Sequence, residues 1–264
     1  MKALFFTDVD GTLIDHNNYC YNESRRGIEL LRENTVPLIS VSSKTFDEMS
    51  LLVKELHLDY PFVFENGSGI AYPLEIDGNF NLELEGPGID VLIDFFPELE
   101  RISGKPLRAI TSLTEIEIED ITGLDIHSAA LAKKRMTTLP FIVDGENLLP
   151  DSEISKLNAV LKEYDYQVTK GGRFNHLIPA GSGKGEAVKK IIEFYKDKFK
   201  DEILTAAAGD SLNDIPMLET VDYSYVIRKP GGSFINFLSG KIMNSAGPSG
   251  FSEAVNDFLN IIAG

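Results

Sequence analysis

Apolar runs without polar alternation lie at Ala3 to Phe6, Val36 to Val41, Ile203 to Ala208 and Tyr225 to Ile227. A strand solvated on one face alternates, so unbroken runs of this length are expected of parallel strands covered on both faces. Amphipathic patterns lie between and after them: Phe46, Met49, Val53 and Leu56; Val188, Ile191, Ile192 and Tyr195; Phe251, Val255, Phe258 and Ile262. Strands alternating with amphipathic helices give an α/β class, a doubly wound, Rossmann-like parallel sheet. Ligands of such folds bind at the carboxyl ends of the strands, where the chemistry is to be sought.

The middle of the chain reads differently. Gly69 to Leu84 has the pattern of a hairpin turning at Asp77-Gly78, and the breaker Gly86-Pro87-Gly88 follows. From there to about Pro179, helical patterns (Ser112 to Ile121, Asp125 to Arg135, Ser152 to Tyr164) sit beside extended ones (Leu139 to Val143, Tyr166 to Thr169, Arg173 to Ile178). The expected organisation is a core in two parts, residues 1–82 and 181–264, with a smaller α+β module inserted at 83–180. At 264 residues the chain is long enough for that arrangement.

Asp8 and Asp10 follow the first apolar run directly, in Asp8-Val9-Asp10-Gly11-Thr12. In extended backbone residues i and i+2 face one side, so both carboxylates can face one site. Val41-Ser42-Ser43-Lys44 ends the second core strand with hydroxyls and a cation suited to phosphate oxygens. Gly181-Ser182-Gly183-Lys184-Gly185 opens a helix, where Lys184 and free backbone N–H groups can meet an anion. Gly209-Asp210-Ser211-Leu212-Asn213-Asp214 ends a further strand with acids four apart, a spacing able to hold a hard cation. A nucleotide-binding P-loop is excluded around Lys184, because Ile178 and Gly185 stand where it needs Gly and Ser or Thr.

Together these four segments resemble the haloacid dehalogenase superfamily, whose motifs are a D-x-D pair, a Ser or Thr, a Lys and an acidic loop, in this order. The resemblance implies a phosphatase with Asp8 as nucleophile, Asp10 as general acid and base, and Ser42 and Lys184 on the transferring phosphoryl group. It implies Mg²⁺ held by Asp8, the Asp10 backbone carbonyl and Asp210, supported by Asp214, and it makes the insertion a C2 cap. Ser42-Ser43-Lys44-Thr45, Phe64-Glu65-Asn66-Gly67, Gly171-Gly172-Arg173-Phe174-Asn175-His176 and Ile215-Pro216-Met217-Leu218 look like the mannosyl-3-phosphoglycerate phosphatase family in particular. The leaving group there is a sugar-phosphoglycerate, and Thr12, Ser43, Lys44, Asn66, Gly67, Arg135, Gly172, Arg173, His176 and Asn213 are expected to bind it. Other sugar phosphates, a phosphomutase of the same fold and a catalytically silent binding protein are the alternatives.

The formal charge of −16, from 25 basic and 41 acidic residues, argues against nucleic acid or an anionic membrane as partner. A phosphorylated small molecule then needs cations placed locally. Cys20 is the single cysteine, so no intrachain disulfide forms, and no apolar run nears membrane-spanning length. A cytoplasmic protein is the expectation.

Overall fold

The structure, a computed structural model, describes residues 2–74, 78–237 and 239–264. Elements of the first third are β1 (Lys2–Thr7), α1 (Arg25–Glu33), β2 (Leu38–Ser40), α2 (Phe46–Glu55), β3 (Phe62–Phe64), β4 (Gly69–Pro73) and β5 (Phe80–Leu84). The middle carries α3 (Ile89–Ser103), β6 (Leu107–Ala109), α4 (Glu115–Thr122), α5 (Ile126–Ala132), β7 (Leu139–Val143), α6 (Asp151–Leu161), β8 (Tyr166–Lys170) and β9 (Asn175–Pro179). The last third holds α7 (Lys184–Phe199), β10 (Ile203–Gly209), α8 (Ile215–Leu218), β11 (Tyr223–Arg228), β12 (Lys241–Ala246) and α9 (Gly247–Ala263).

The expected parallel sheet is present, in the order β12-β11-β10-β1-β2. Its central strands, β10 and β1, are buried on both faces, while the edge strand β12 is partly exposed. Phe5 of β1 packs with Ala206, Ala208 and Tyr225 against Phe251 and Phe258 of α9, whereas Leu4 and Phe6 pack with Ala207 and Val226 against Val188 and Ile191 of α7. Each Phe buried this way contributes roughly 2–3 kcal/mol of transfer free energy, which is why the runs are predominantly apolar.

Register decides where the strands end together. Thr7 of β1 lies opposite Ser40 of β2 and Ala208 of β10, and the Asp8 N–H donates to Ala208 O at 2.9 Å. Asp8, Ser42 and Asp210 therefore leave the sheet along one edge. Helix α7 begins at Lys184, at the place where the sequence pattern puts a helix start.

β3, β4 and β5 form an antiparallel sheet joined to the core by the parallel bridge Val41–Val63. β4 and β5 are the expected hairpin, with Tyr72 opposite Asn81. Asp77 of the expected turn lies outside the described residues. Residues 107–179 build a four-stranded antiparallel sheet, β6-β7-β9-β8, backed by α3 and α6 through Leu92, Leu99, Phe141, Leu157, Leu161 and Leu177.

Helix α3 has no counterpart in the sequence reading. Pro97 sits inside it and Gly88 and Gly104 flank it, so local signals read as a broken segment. Burial of Leu92 and Leu99 against β7 and α6 outweighs them.

Candidate active site

The Asp8 carboxylate meets Lys184 Nζ at 2.5 Å, and the same ammonium meets Asp214 Oδ1 at 2.6 Å. All three side chains are buried. Asp214 turns its second oxygen to the Asp210 and Ser211 N–H groups, at 3.1 and 2.8 Å, which pins the acidic loop. Asp8, Asp210 and Asp214 each offer a carboxylate oxygen within 4.8 Å of the others. Gly11 closes the pocket from the first motif: its φ is +88°, and a Cβ would come within 3.0 Å of Asp210 Oδ2. A side chain there is excluded by both backbone conformation and space.

Three acids around Lys184, with only the half-exposed Lys229 beside them among the described residues, at 4.0 Å from Asp210 Oδ2, leave this pocket short of positive charge. Burial, then the charge of Asp214, pushes the Asp8 carboxyl well above the usual carboxylate range, and Lys184 only partly opposes this. Burial and Asp214 likewise lift Asp210 from 3.8 to about 6. Burial alone would lower Lys184, but attraction to Asp214 and Asp8 outweighs it and holds the ammonium above its ordinary value. Clustered buried carboxylate oxygens with a charge deficit are the donor set of a hard divalent cation. The side chains present fit such an ion.

Above Asp8 opens a cavity of about 110 Å³ between the core sheet edge and the β6–β9 module. Asp8, Asp10, Ser43, Lys44 and Asn213 line it from the core, and Arg135, Gly172, Arg173 and His176 from the module. Residues separated by more than 160 positions thus share one space. Asp10 faces Lys44, whose Nζ lies 3.0 Å from Oδ1, and its side chain stands apart from the acidic cluster. That leaves only its backbone carbonyl as the expected metal ligand.

The cationic wall is braced from behind. Arg135 donates through Nη1 to Ser43 O at 2.7 Å and through Nε to Ala132 O at 2.8 Å. Arg173 Nη1 donates to Ile121 O at 3.1 Å. Burial, then the charges of Arg135 and Lys184, drops His176 to about 3, so it is a neutral imidazole; its Nδ1 is buried without a hydrogen-bond partner among the described residues. Asn213 Nδ2 donates to Asn66 Oδ1 at 3.2 Å, which leaves Asn66 Nδ2 and Asn213 Oδ1 similarly unmatched. Buried polar atoms without partners are rare unless a ligand or water completes them.

Three expected ligand-binding residues, Thr12, Asn66 and Gly67, stand outside the cavity lining. Thr12 is fully buried beneath the loop and stands outside the cavity lining. Gly67 is required by packing: its φ is +98°, and a side chain would collide with the Gly183 carbonyl. Ser42 is buried, its Oγ accepting from Lys44 N–H at 3.2 Å.

The structure also adds residues. His16 and Tyr19, from the loop after the first motif, line the cavity. Burial, then the charge of Arg173, holds His16 below its ordinary value. Tyr19 donates from its hydroxyl to Thr122 O at 2.9 Å, tying the core loop to α4, and its ring lies 5.3 Å from Lys44 Nζ. Their only sequence signal is closeness to Asp8 and Asp10. Glu65, fully buried, accepts from the N–H groups of Met136, Thr137 and Thr138 at 2.7, 3.0 and 2.7 Å, a second tie between core and module.

The sequence pattern of haloacid dehalogenase-like hydrolases matches residues 5–97 and 124–230. The chain belongs to that family and is an enzyme of the phosphomonoester-hydrolase kind. More particularly, it is 36% identical over 275 residues to a glucosyl-3-phosphoglycerate/mannosyl-3-phosphoglycerate phosphatase of Methanococcoides burtonii, covering 98% of both chains. A protein of the same name from Persephonella marina is 32% identical, again over 98% of each chain. A crystal structure of a Thermoplasma acidophilum protein aligns over 100% of this chain and 99% of its own, with a TM-score of 0.69 at 16% identity, a likeness of fold. No helix among the described residues is long and apolar enough to cross a membrane.

Proposed function

We propose that the enzyme hydrolyses the phosphomonoester of a sugar-phosphoglycerate, glucosyl- or mannosyl-3-phosphoglycerate, with Mg²⁺ and with Asp8 as the nucleophile. The observation that carries this reading is the position of Asp8: on Lys184, within the acidic cluster, at the floor of a cavity whose far wall presents Arg135, Arg173 and His176. When bound, Mg²⁺ would be held by Asp8, the Asp10 carbonyl and Asp210, with Asp214 in support, and would screen the repulsion between carboxylate and phosphate.

The chain's own residues account for the rest. Asp8 attacks phosphorus and forms an aspartyl-phosphate, splitting one displacement into two. Lys184 and Ser42 bind the transferring phosphoryl group. Asp10 gives a proton to the leaving oxygen and afterwards takes one from the water that frees phosphate. Residues 83–180 act as the cap: they exclude water and supply the arginines that an acidic chain needs for an anionic substrate. The substrate contacts are Ser43, Lys44, Asn213, Arg135, Gly172, Arg173 and His176, with Asn66 positioning Asn213 from behind. A cytoplasmic setting fits the single exposed thiol, Cys20.

Phosphate release from glucosyl- and mannosyl-3-phosphoglycerate, set against hexose phosphates, tests the reading. Release from both sugar-phosphoglycerates with Mg²⁺ and none with EDTA is expected. Turnover of hexose phosphates alone would reject the substrate.

The cation also has a signature in stability. Asp210 ionises near 3.8 when unfolded and near 6 when folded, so its burial costs stability as pH rises across that window, on the order of 3 kcal/mol above it. A bound cation removes this penalty. The gain in Tm on adding Mg²⁺ to EDTA-treated protein is therefore expected to be larger at pH 8 than at pH 5, and an equal gain at both would count against the metal site.

A further inference from the structure

The turn between β3 and β4 carries backbone that side chains rarely adopt. Glu65 and Asn66 have φ of +48° and +59°, and neither is glycine. Left-handed backbone at two such residues in succession persists only where the surroundings fix it, and it gathers at functional sites. Here the main chain is fixed to the second motif: Glu65 N–H donates to Lys44 O at 2.8 Å and Asn66 N–H to Ser42 O at 2.9 Å. The fully buried Glu65 side chain is thereby aimed at the segment that follows Arg135.

Both of its oxygens are filled from that segment. Oε1 accepts from Met136 N–H at 2.7 Å. Oε2 accepts from Thr137 and Thr138, through their N–H groups at 3.0 and 2.7 Å and through their hydroxyls at 3.3 and 2.7 Å. These bonds close a ring around Arg135. From Ser43 the chain runs to Lys44, whose carbonyl meets Glu65; the Glu65 carboxylate meets Met136, next to Arg135; and Arg135 Nη1 returns to Ser43 O at 2.7 Å. With Nε on Ala132 O, the guanidinium keeps Nη2 for a ligand in the cavity that Arg135 lines, whereas Glu65 stands outside that lining.

Resting on the sugar-phosphoglycerate reading above, we propose that Glu65 is a positioning residue: acting through Arg135, it sets how tightly the leaving group is held and leaves the phosphoryl-transfer step alone. An arginine meets an anion through N–H groups fixed in one plane, so a displacement of about 1 Å is enough to spoil the fit. The ring prevents that displacement at both ends of the residue, at the main chain through Glu65 and at the guanidinium through Ser43.

Glu65→Gln keeps the size of the side chain and the main-chain bonds of the turn. Its amide nitrogen must face at least one N–H of residues 136–138, donor against donor, and the clamp loosens. With glucosyl-3-phosphoglycerate, KM is expected to rise about tenfold or more while kcat stays within about threefold. In an Arg135→Ala background the same change is expected to raise KM by no more than about twofold, because the residue it acts through is gone. A substitution that only unsettled the fold would lower kcat through the folded fraction with KM unmoved, and equally in both backgrounds; either result overturns the proposal. Thr138→Val removes one hydroxyl donor from the same carboxylate and decides the question if Glu65→Gln fails to fold. A KM about threefold higher with kcat unchanged is expected there, and an unchanged KM overturns the proposal. Release of phosphate by the unaltered enzyme from neither glucosyl- nor mannosyl-3-phosphoglycerate rejects the functional reading and this inference together, whereas normal turnover with KM unmoved in the variants rejects the inference alone.

Discussion

Replacing Asp8 with asparagine is expected to lower kcat on any phosphate ester by a factor on the order of 10⁴ or more, while leaving the metal-free protein at least as stable. The first half follows from the amide's weakness as a nucleophile. The second follows from electrostatics. Burial together with Asp214 and Asp210 disfavours the Asp8 charge by more than Lys184 favours it, which is why its carboxyl lies well above the ordinary range. Asparagine keeps the volume and removes the charge, so the stability gain is largest at a pH where Asp8 would be ionised. Active sites that hold like charges together trade stability for function in this way. Phosphate release and thermal melts in EDTA at pH 8 check both halves; turnover within tenfold of the parent rejects the nucleophile assignment.

Replacing Lys184 with methionine is expected to have the opposite signature, losing stability as well as rate. Its ammonium is the shared partner of Asp8 and Asp214, and its side chain is 1% exposed. Removing one member of a buried ion pair typically costs about 3–5 kcal/mol, because the charges left behind have no water to turn to. The rate is expected to fall by roughly 10²–10³, the scale for losing one donor to a developing charge. The sign with pH is definite. Without the ammonium Asp8, already held above the ordinary carboxylate range, loses the charge that opposes this, so folded protein binds more protons than unfolded protein and the deficit shrinks as pH falls. Urea midpoints at pH 5 and pH 8 should show the larger loss at pH 8; a loss independent of pH would assign Lys184 a packing role instead.

Much of the catalytic floor was legible because its chemistry is local to strand ends. Asp8, Asp10, Ser42, Asp210 and Asp214 each follow an apolar run by one to six residues, and parallel strands in register deliver such positions to one edge. Lys184 was legible because glycine-flanked helix starts point there too. Contacts with a distant partner were not. Tyr19 acts through Thr122, 103 positions away, and Asn213 meets Asn66 across 147. Nothing near Tyr19 in the chain marks that contact. Gly67, read as a ligand contact, is a crossing point with Gly183, and Thr12 is sealed beneath its own loop.

The sequence alone determined that the core is a covered parallel sheet and that Asp8, Ser42 and Asp210 leave it along one edge, because hydrophobic period and strand-end position are properties of neighbouring residues. Tertiary structure decided what Asp8 is surrounded by. It put two acids and one lysine around Asp8, set Lys44 on Asp10, and used Glu65 and Tyr19 to tie the β6–β9 module to the core. Those contacts join segments tens to more than a hundred residues apart, and their energies depend on burial and separation, which exist only once the chain has closed on itself.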